Sequence, residues 1–227
     1  MFLTLILSSF LTFMELNCEN LFDTRHDSLK NDLEFLPDGS YRWTPYRYWA
    51  KLNHLGQEIV AQSNPIPDFV AMCEVENDSV MFDLTRRSLL RNAGYEYVMT
   101  SSPDERGIDV ALLYQPASFA LLHSHSIRIK PLPDTRPTRD ILYASGLIIM
   151  GDTLHVFVVH APSRRGGELA SRPYRLHVAS QLAEAVDSIY AESRDAKIIV
   201  AGDFNDYADS PALKRLYQHH LINISHD

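Results

Sequence analysis

The sequence predicts an α/β fold, and three observations carry that prediction. Short apolar runs rich in β-branched residues, Ile198 to Ala201, Asp68 to Val75 (DFVAMCEV) and Ile108 to Tyr114, have the length and composition of buried strands. Between such runs lie stretches in which apolar residues recur at helical spacing, as in Trp49, Leu52, Leu55 and Ile59. Finally, 227 residues and 25.9 kDa with 45% hydrophobic content suffice for one domain with a sizeable core and no disulfides.

The formal net charge of −8 argues against a strongly basic surface that would hold long nucleic acid by counterion release. A divalent cation and a local arginine cluster can offset that background, so a polyanionic ligand stays open. Cys18 and Cys73 form no disulfide framework or zinc spacing and are expected to be free, buried thiols. Residues 1–12 begin MFLTLILSSFLT, which reads either as the apolar core of an incomplete export signal or as the start of the first strand. The apolar run is about 13 residues long, too short to span a membrane. It leaves the compartment undetermined.

In chain order, Leu11 to Leu16 reads as a strand that delivers Asn17 to its end, followed by Glu19, Asn20 and Asp23. Residues Thr24 to Trp43 form a long polar loop with an Asp38-Gly39 turn. Thr44 caps a helix that has Pro45 in its first turn. The strand ending in Cys73-Glu74-Val75 then brings a glutamate into an apolar context. If buried and ionised, Glu74 needs a cation or partner, since burying it bare would cost several kcal/mol. The other reading is that the strand stops at Cys73 and Glu74 is wet. Alternation in extended chain would turn Cys73 away from Glu74 and Cys18 away from Asn17.

Asp78 is expected to cap a second helix through about Ala93, closed by Gly94, and Tyr95 to Thr100 reads as a strand. The strand of Ile108 to Tyr114 is entered through a charged loop with Arg106 and holds Asp109, a buried hydrogen-bond partner or a site residue. Residues 119–129 form another strand. Arg136 and Arg139 lie in a proline-stiffened loop, where they are surface charge or a phosphate clamp. Gly151-Asp152-Thr153 joins Ile141–Met150 to Leu154–Val159 as an antiparallel hairpin. The second of these strands ends in His160, before a loop with Arg164, Arg165 and two glycines. Pro173 is expected to open the longest helix, with Leu176, Ala179, Leu182, Val186, Ile189 and Tyr190 on one face. Ile198 to Ala201 follows, ended by Gly202 and leading to Asp203, Asn205 and Asp206, and Ser210-Pro211 starts a short helix.

Asn17, Glu74, His160 and Asp203 thus all stand at carboxyl ends of strands, where ligands usually meet a sheet. In order, LNCENLFD, CEVEND, RGIDVALLY, VHAPSRRGG and GDFND resemble the endonuclease/exonuclease/phosphatase superfamily over Phe13 to about Leu216. That resemblance implies a four-layer α/β/β/α sandwich of two mixed sheets, residues 13–227 forming the domain, and Mg²⁺- or Mn²⁺-dependent hydrolysis of a phosphoester, with nucleic acid among the candidate substrates. By position, Glu74 resembles the family's metal-binding glutamate and Asn17 the asparagine that supports metal and phosphate. His160 resembles the histidine on the scissile phosphate; Asp203 and Asn205 resemble the pair that positions water and stabilises the transition state. Arg106, Arg139 and Arg164 are candidate phosphate contacts.

One departure from the family pattern stands out. The terminal Asp-His pair that follows a strand in the family has no counterpart here, and Ser225-His226-Asp227 carries those residue types reversed with no strand before them. The resemblance therefore implies a second sheet lacking the family's last strands, with an exposed edge open to self-association. It also leaves a second function open, a non-catalytic relative that binds metal or phosphate.

Overall fold

The computed structural model describes residues 10–62, 65–133 and 135–224. The export-signal reading falls mostly on residues 1–9, and Ser225-His226-Asp227 on 225–227, both outside the described residues. Strands β1 (Phe13–Leu21), β2 (Phe69–Val75), β3 (Glu96–Met99) and β4 (Asp109–Tyr114) form one sheet in the order β1-β2-β4-β3. Strands β5 (Phe119–Ile127), β6 (Ile141–Ile148), β7 (Thr153–His160) and β8 (Lys197–Asp203) form the second in sequence order. Both are mixed, because β1/β2 and β7/β8 are parallel while the remaining pairs are antiparallel.

Period-two burial separates the faces and produces the layers. Phe69, Ala71 and Cys73 of β2 pack between the sheets with Val110, Leu112, Leu142, Ala144, Val156 and Val158. Val70 and Met72 point the other way, onto Leu52 and Ile59 of helix α1 (Pro45–Ala61). On the far side of the second sheet, Phe157 and Val159 meet Val178, Leu182 and Val186 of α3 (Glu168–Glu192) and Leu216 of α4 (Pro211–Tyr217). The result is helix, sheet, sheet, helix, the four-layer sandwich expected.

Several elements start where the sequence placed them. Thr44 Oγ1 accepts from Arg47 N at the head of α1, and Ser210 Oγ accepts from Leu213 N at the head of α4. The 151–153 turn joins β6 to β7 antiparallel.

Others depart from expectation. The helix expected over Asp78 to Ala93 is α2 (Asp78–Phe82), a π turn (Asp83–Arg87) and a 3₁₀ turn (Leu89–Asn92), capped by Asn77 rather than Asp78. Ser88 breaks it: the residue is extended (ψ −166°), and its hydroxyl donates to Leu84 O at 2.5 Å while accepting from Leu90 N. Pro173 does not open α3 but lies inside it, the helix beginning at Glu168. Its missing N–H costs little, since the carbonyl it leaves belongs to Leu169, which is 76% exposed. Strand β1 extends past Leu16 to Leu21, although its regular pairing with β2 ends at Asn17. Gly202 does not end β8: the ladder continues through Val159↔Gly202 to His160↔Asp203. A β-carbon at Gly202 would lie 2.0 Å from Val159 O, and φ is +124°, so only glycine lets the strand reach Asp203.

Candidate active site

The two parallel pairs, β1/β2 and β7/β8, bring their carboxyl ends together, so Asn17 is registered with Cys73 and His160 with Asp203. Strand β2 is irregular at its last step. Glu74 has φ +61°, the pairing to β4 shifts between Cys73 and Val75, and Val75 returns to the helix-side core. The bulge turns the Glu74 carboxylate toward the gap between the sheets, where its Oε1 lies 3.7 Å from His160 Nε2. A non-glycine residue at positive φ in a buried strand is strained, and strain of this kind collects at functional positions.

The bulge also corrects the alternation argument. Cys18 does face away, into the helix-side core, but Cys73 lies on the same inter-sheet side as Asn17. There its thiol contacts Val159 O at 3.5 Å. Burial pushes the Cys73 thiol up to about 12 and the Cys18 thiol higher still, so both are protonated and unreactive at neutral pH.

Asp203 is held from two sides. Its Oδ2 accepts from Asn17 Nδ2 at 3.0 Å, a bond that ties the two sheets together, and its Oδ1 accepts from Asn205 N at 2.8 Å. Asn17 Oδ1 in turn accepts from Glu19 N at 2.8 Å, and Asn205 Nδ2 donates to Ala161 O at 3.0 Å. Positive φ at Glu19, Asn20 and Asn205 lets the chain turn sharply around these amides. Lys51 Nζ, donating to the Glu19 and Asn20 carbonyls, holds the first of those turns.

His160 is buried, and Nε2 is 3.7 Å from Glu74 and 4.0 Å from Asp203. Burial first, then Arg139 and Arg106, push its imidazole down to about 2, so the ring is neutral at pH 7 and these contacts are not ion pairs. Its Nδ1 is buried with no hydrogen-bond partner among the described residues. Glu74 and Asp203 therefore both approach one uncharged ring.

Glu74, His160 and Asn205 line a cleft of about 550 Å³. Arg106 and Arg139 both line it. Arg139 is buried, donating to Asp104 Oδ2 at 3.4 Å and to Ala161 O at 2.8 Å, and Arg106 reaches Asn20 Oδ1 at 3.3 Å. Arg164 does not line the cleft: its guanidinium lies over the Tyr207 ring, 4.4 Å from the centroid, and the next residue, Arg165, takes the cleft position. Lys130, Arg136, Tyr174 and His177 continue the wall toward α3. Asp109 is structural, accepting from Thr100 Oγ1 at 2.6 Å and Ser102 N at 3.0 Å.

Sequence reasoning passed over two supports. Arg175, wholly buried, pairs with Asp206 at 2.9 Å and so pins the loop after Asp203 to α3. Asp104, paired with Arg139, anchors the loop carrying Arg106. A charged residue on the apolar face of a helix was the available signal for Arg175; Asp104 carried none.

Among the described residues no group of three or more His, Cys, Asp or Glu surrounds one point. Hard ions that retain water and take substrate oxygens need only one or two carboxylates, however. Glu74, beside a neutral ring and next to the Cys73 position that is registered with Asn17, fits that requirement.

The sequence pattern of the Endonuclease/Exonuclease/phosphatase family matches residues 12–221. The chain belongs to that family. No curated protein matches its sequence. Among solved structures, the human Nocturnin catalytic domain with bound sulfate anion aligns at TM-score 0.57 and 22% identity over 73% of this chain and 60% of that one. D. rerio TDP2 complexed with single strand DNA product aligns at 0.57 and 18%, over 94% and 66%. Bacteroides thetaiotaomicron mannosyl-6-phosphatase aligns at 0.64 and 16%, over 92% and 70%. The family member described here thus spans between 60% and 70% of the length of these three structures.

Proposed function

We propose that this chain is a divalent-metal-dependent hydrolase of phosphoesters, and specifically a phosphodiesterase acting on a nucleic acid strand, with Mg²⁺ or Mn²⁺ as its ion. The observation that carries the proposal is that Asp203, hydrogen-bonded to Asn17 and Asn205, and Glu74 both approach His160 beside an arginine-lined cleft, whose wall includes Glu74, His160 and Asn205. When bound, the ion would polarise the phosphoryl oxygen and offset charge on the leaving oxygen. Glu74, with Asn17 beside it, would hold it.

The remaining chemistry belongs to the chain. Asp203, each of its oxygens already fixed by one hydrogen bond, keeps a free lone pair on each to take the proton of an attacking water. Asn205 and Asn17 fix that carboxylate in place. His160, neutral at pH 7, can present an Nε2–H to a phosphate oxygen without repelling Arg106 or Arg139, and the arginines donate to oxygens that gain charge in the transition state. The cleft wall adds cations beyond the scissile group, which suits a substrate with further phosphates, and the complex of D. rerio TDP2 with single strand DNA product lends support to a strand. With a net charge of −8, a short or single strand suits the chain better than long duplex.

A second reading, binding of metal or phosphate without turnover, is favoured by one feature: no described group orients His160 through Nδ1. The test is hydrolysis of a single-stranded oligonucleotide and of mannose 6-phosphate, with and without Mg²⁺. The proposal expects Mg²⁺-stimulated cleavage of the oligonucleotide, lost in Glu74→Gln and Asp203→Asn. Cleavage that survives both substitutions, or saturable Mg²⁺ binding with no turnover, would overturn it, the latter in favour of the binding reading.

A further inference from the structure

Away from the cleft, the outer face of the second sheet carries an aromatic and imidazole cluster that no step above uses. Pairing in β5 shifts between Leu121 and His123, and from there on His123, His125 and Ile127 share one face. Opposite them, His125 is registered with Tyr143, and Tyr143 with Phe157. His123 and His125 are exposed, and His123 Nε2 lies 3.0 Å from His125 Nδ1. The Tyr143 ring backs both imidazoles, with centroids 4.9 Å from His125 and 6.3 Å from His123. Its hydroxyl is engaged with Nδ1 of a third histidine, His155, at 2.7 Å.

We propose that His123 Nε2 and His125 Nδ1 form a two-imidazole site for a divalent transition metal, Cu²⁺ or Ni²⁺, distinct from the oxygen-rich site at Glu74. The geometry and the chemistry of the donors both support it. Metal–imidazole bonds of about 2.0–2.1 Å place two nitrogens about 3.0 Å apart when the angle at the ion is near 95°. That is the observed separation, and it suits the right-angled preference of Cu²⁺ or Ni²⁺ more closely than the wider tetrahedral angle of Zn²⁺. Imidazole nitrogen favours these ions, whereas Mg²⁺ takes oxygen.

One of the two rings now donates an N–H to the other. On binding, that ring moves its proton to its remaining nitrogen, so both present lone pairs to the ion and no proton need leave. Water completes the coordination sphere, because no third His, Cys, Asp or Glu joins the pair among the described residues. The packed Tyr143 ring limits rotation of the two imidazoles, and its place is fixed by the bond to His155.

Cu²⁺ added in single equivalents to the full chain in saturating Mg²⁺, with glycine as competitor and electron paramagnetic resonance as readout, tests this. The expected result is one ion per chain with two equatorial nitrogens, and an affinity lowered at least about tenfold in His123→Gln and in His125→Gln. His54→Gln, on helix α1 against the other sheet, should bind as the wild type does. Both ligand positions are exposed, and far-UV circular dichroism checks that the variants fold. Unchanged Cu²⁺ affinity or an unchanged nitrogen signal in the double variant, or no binding in competition with glycine, would overturn the proposal.

Discussion

The two acids of the site stand at the ends of strands in contrasting positions. Strand β2 runs between two neighbours, and Phe69 to Cys73 are fully buried. Strand β8 lies at the edge of its sheet, and Ile198 to Ala201 are only half-buried. Glu74 is therefore placed by a packed interior, while Asp203 is placed by a few specific contacts: the glycine that lets β8 hug Val159, the bond from Ala161 N to Asp203 O, and the amide of Asn17 reaching across from the other sheet. Packing distributes its stabilisation over many atoms, whereas hydrogen bonds concentrate it in few. The halves of the site should fail in different ways.

The largest expected effect comes from Gly202→Ala. A methyl 2.0 Å from Val159 O at φ +124° cannot be accommodated without breaking the β7/β8 ladder, and a loss of cooperative unfolding in urea is expected. An ordinary transition close to wild type would show that β8 is not held this way. Next, Met72→Ala in the packed strand should cost about 2–5 kcal/mol, and Ile199→Ala in the edge strand less than half as much, because less apolar surface is lost from contact. Equal costs in urea titrations would remove the contrast between the strands.

Asn17→Ala should leave unfolding nearly unchanged and lower phosphodiester turnover by about a hundredfold, since it frees Asp203 rather than opening a cavity. The kcat readout separates this from a stability effect. A pH slope offers a separate check. Glu76 is buried beside Asp23, and burial raises its carboxyl from 4.5 to about 8. The folded state then binds the proton more tightly than the unfolded one, so this residue's contribution is complete below about pH 4.5 and lost as pH rises toward 8. Glu76→Gln should flatten that slope, its Tm advantage over wild type growing between about pH 5 and pH 8. A gap independent of pH would contradict the burial argument.

The fold was legible wherever one physical rule dominated. Apolar runs gave all eight strands among the described residues, and Thr44-Pro45 and Ser210-Pro211 marked helix starts correctly. Rules that assume regularity failed where the backbone departs from it. Alternation misplaced Cys73 because Glu74 sits on a bulge at φ +61°, and helical spacing ran through Ser88 because its hydroxyl, not its polarity, breaks the helix. For the site, the acids, the histidine and the amides could be read because strand ends collect them. Which arginine faces the cleft could not, since Arg164 and Arg165 are adjacent in a loop and only the stacking of Arg164 on Tyr207 separates them. Long-range pairs such as Arg175 with Asp206 leave no local trace.

The central claim is that Glu74, with Asn17 beside it, holds one ion, while Asp203 from the opposite sheet acts on the attacking water. Mn²⁺ binding to the full chain, followed by water-proton relaxation, tests it most directly. Saturable binding in the wild type, weakened by Glu74→Gln and by Asn17→Ala and retained in Asp203→Asn, is the predicted outcome. Mn²⁺ bound equally well by all four proteins would contradict it.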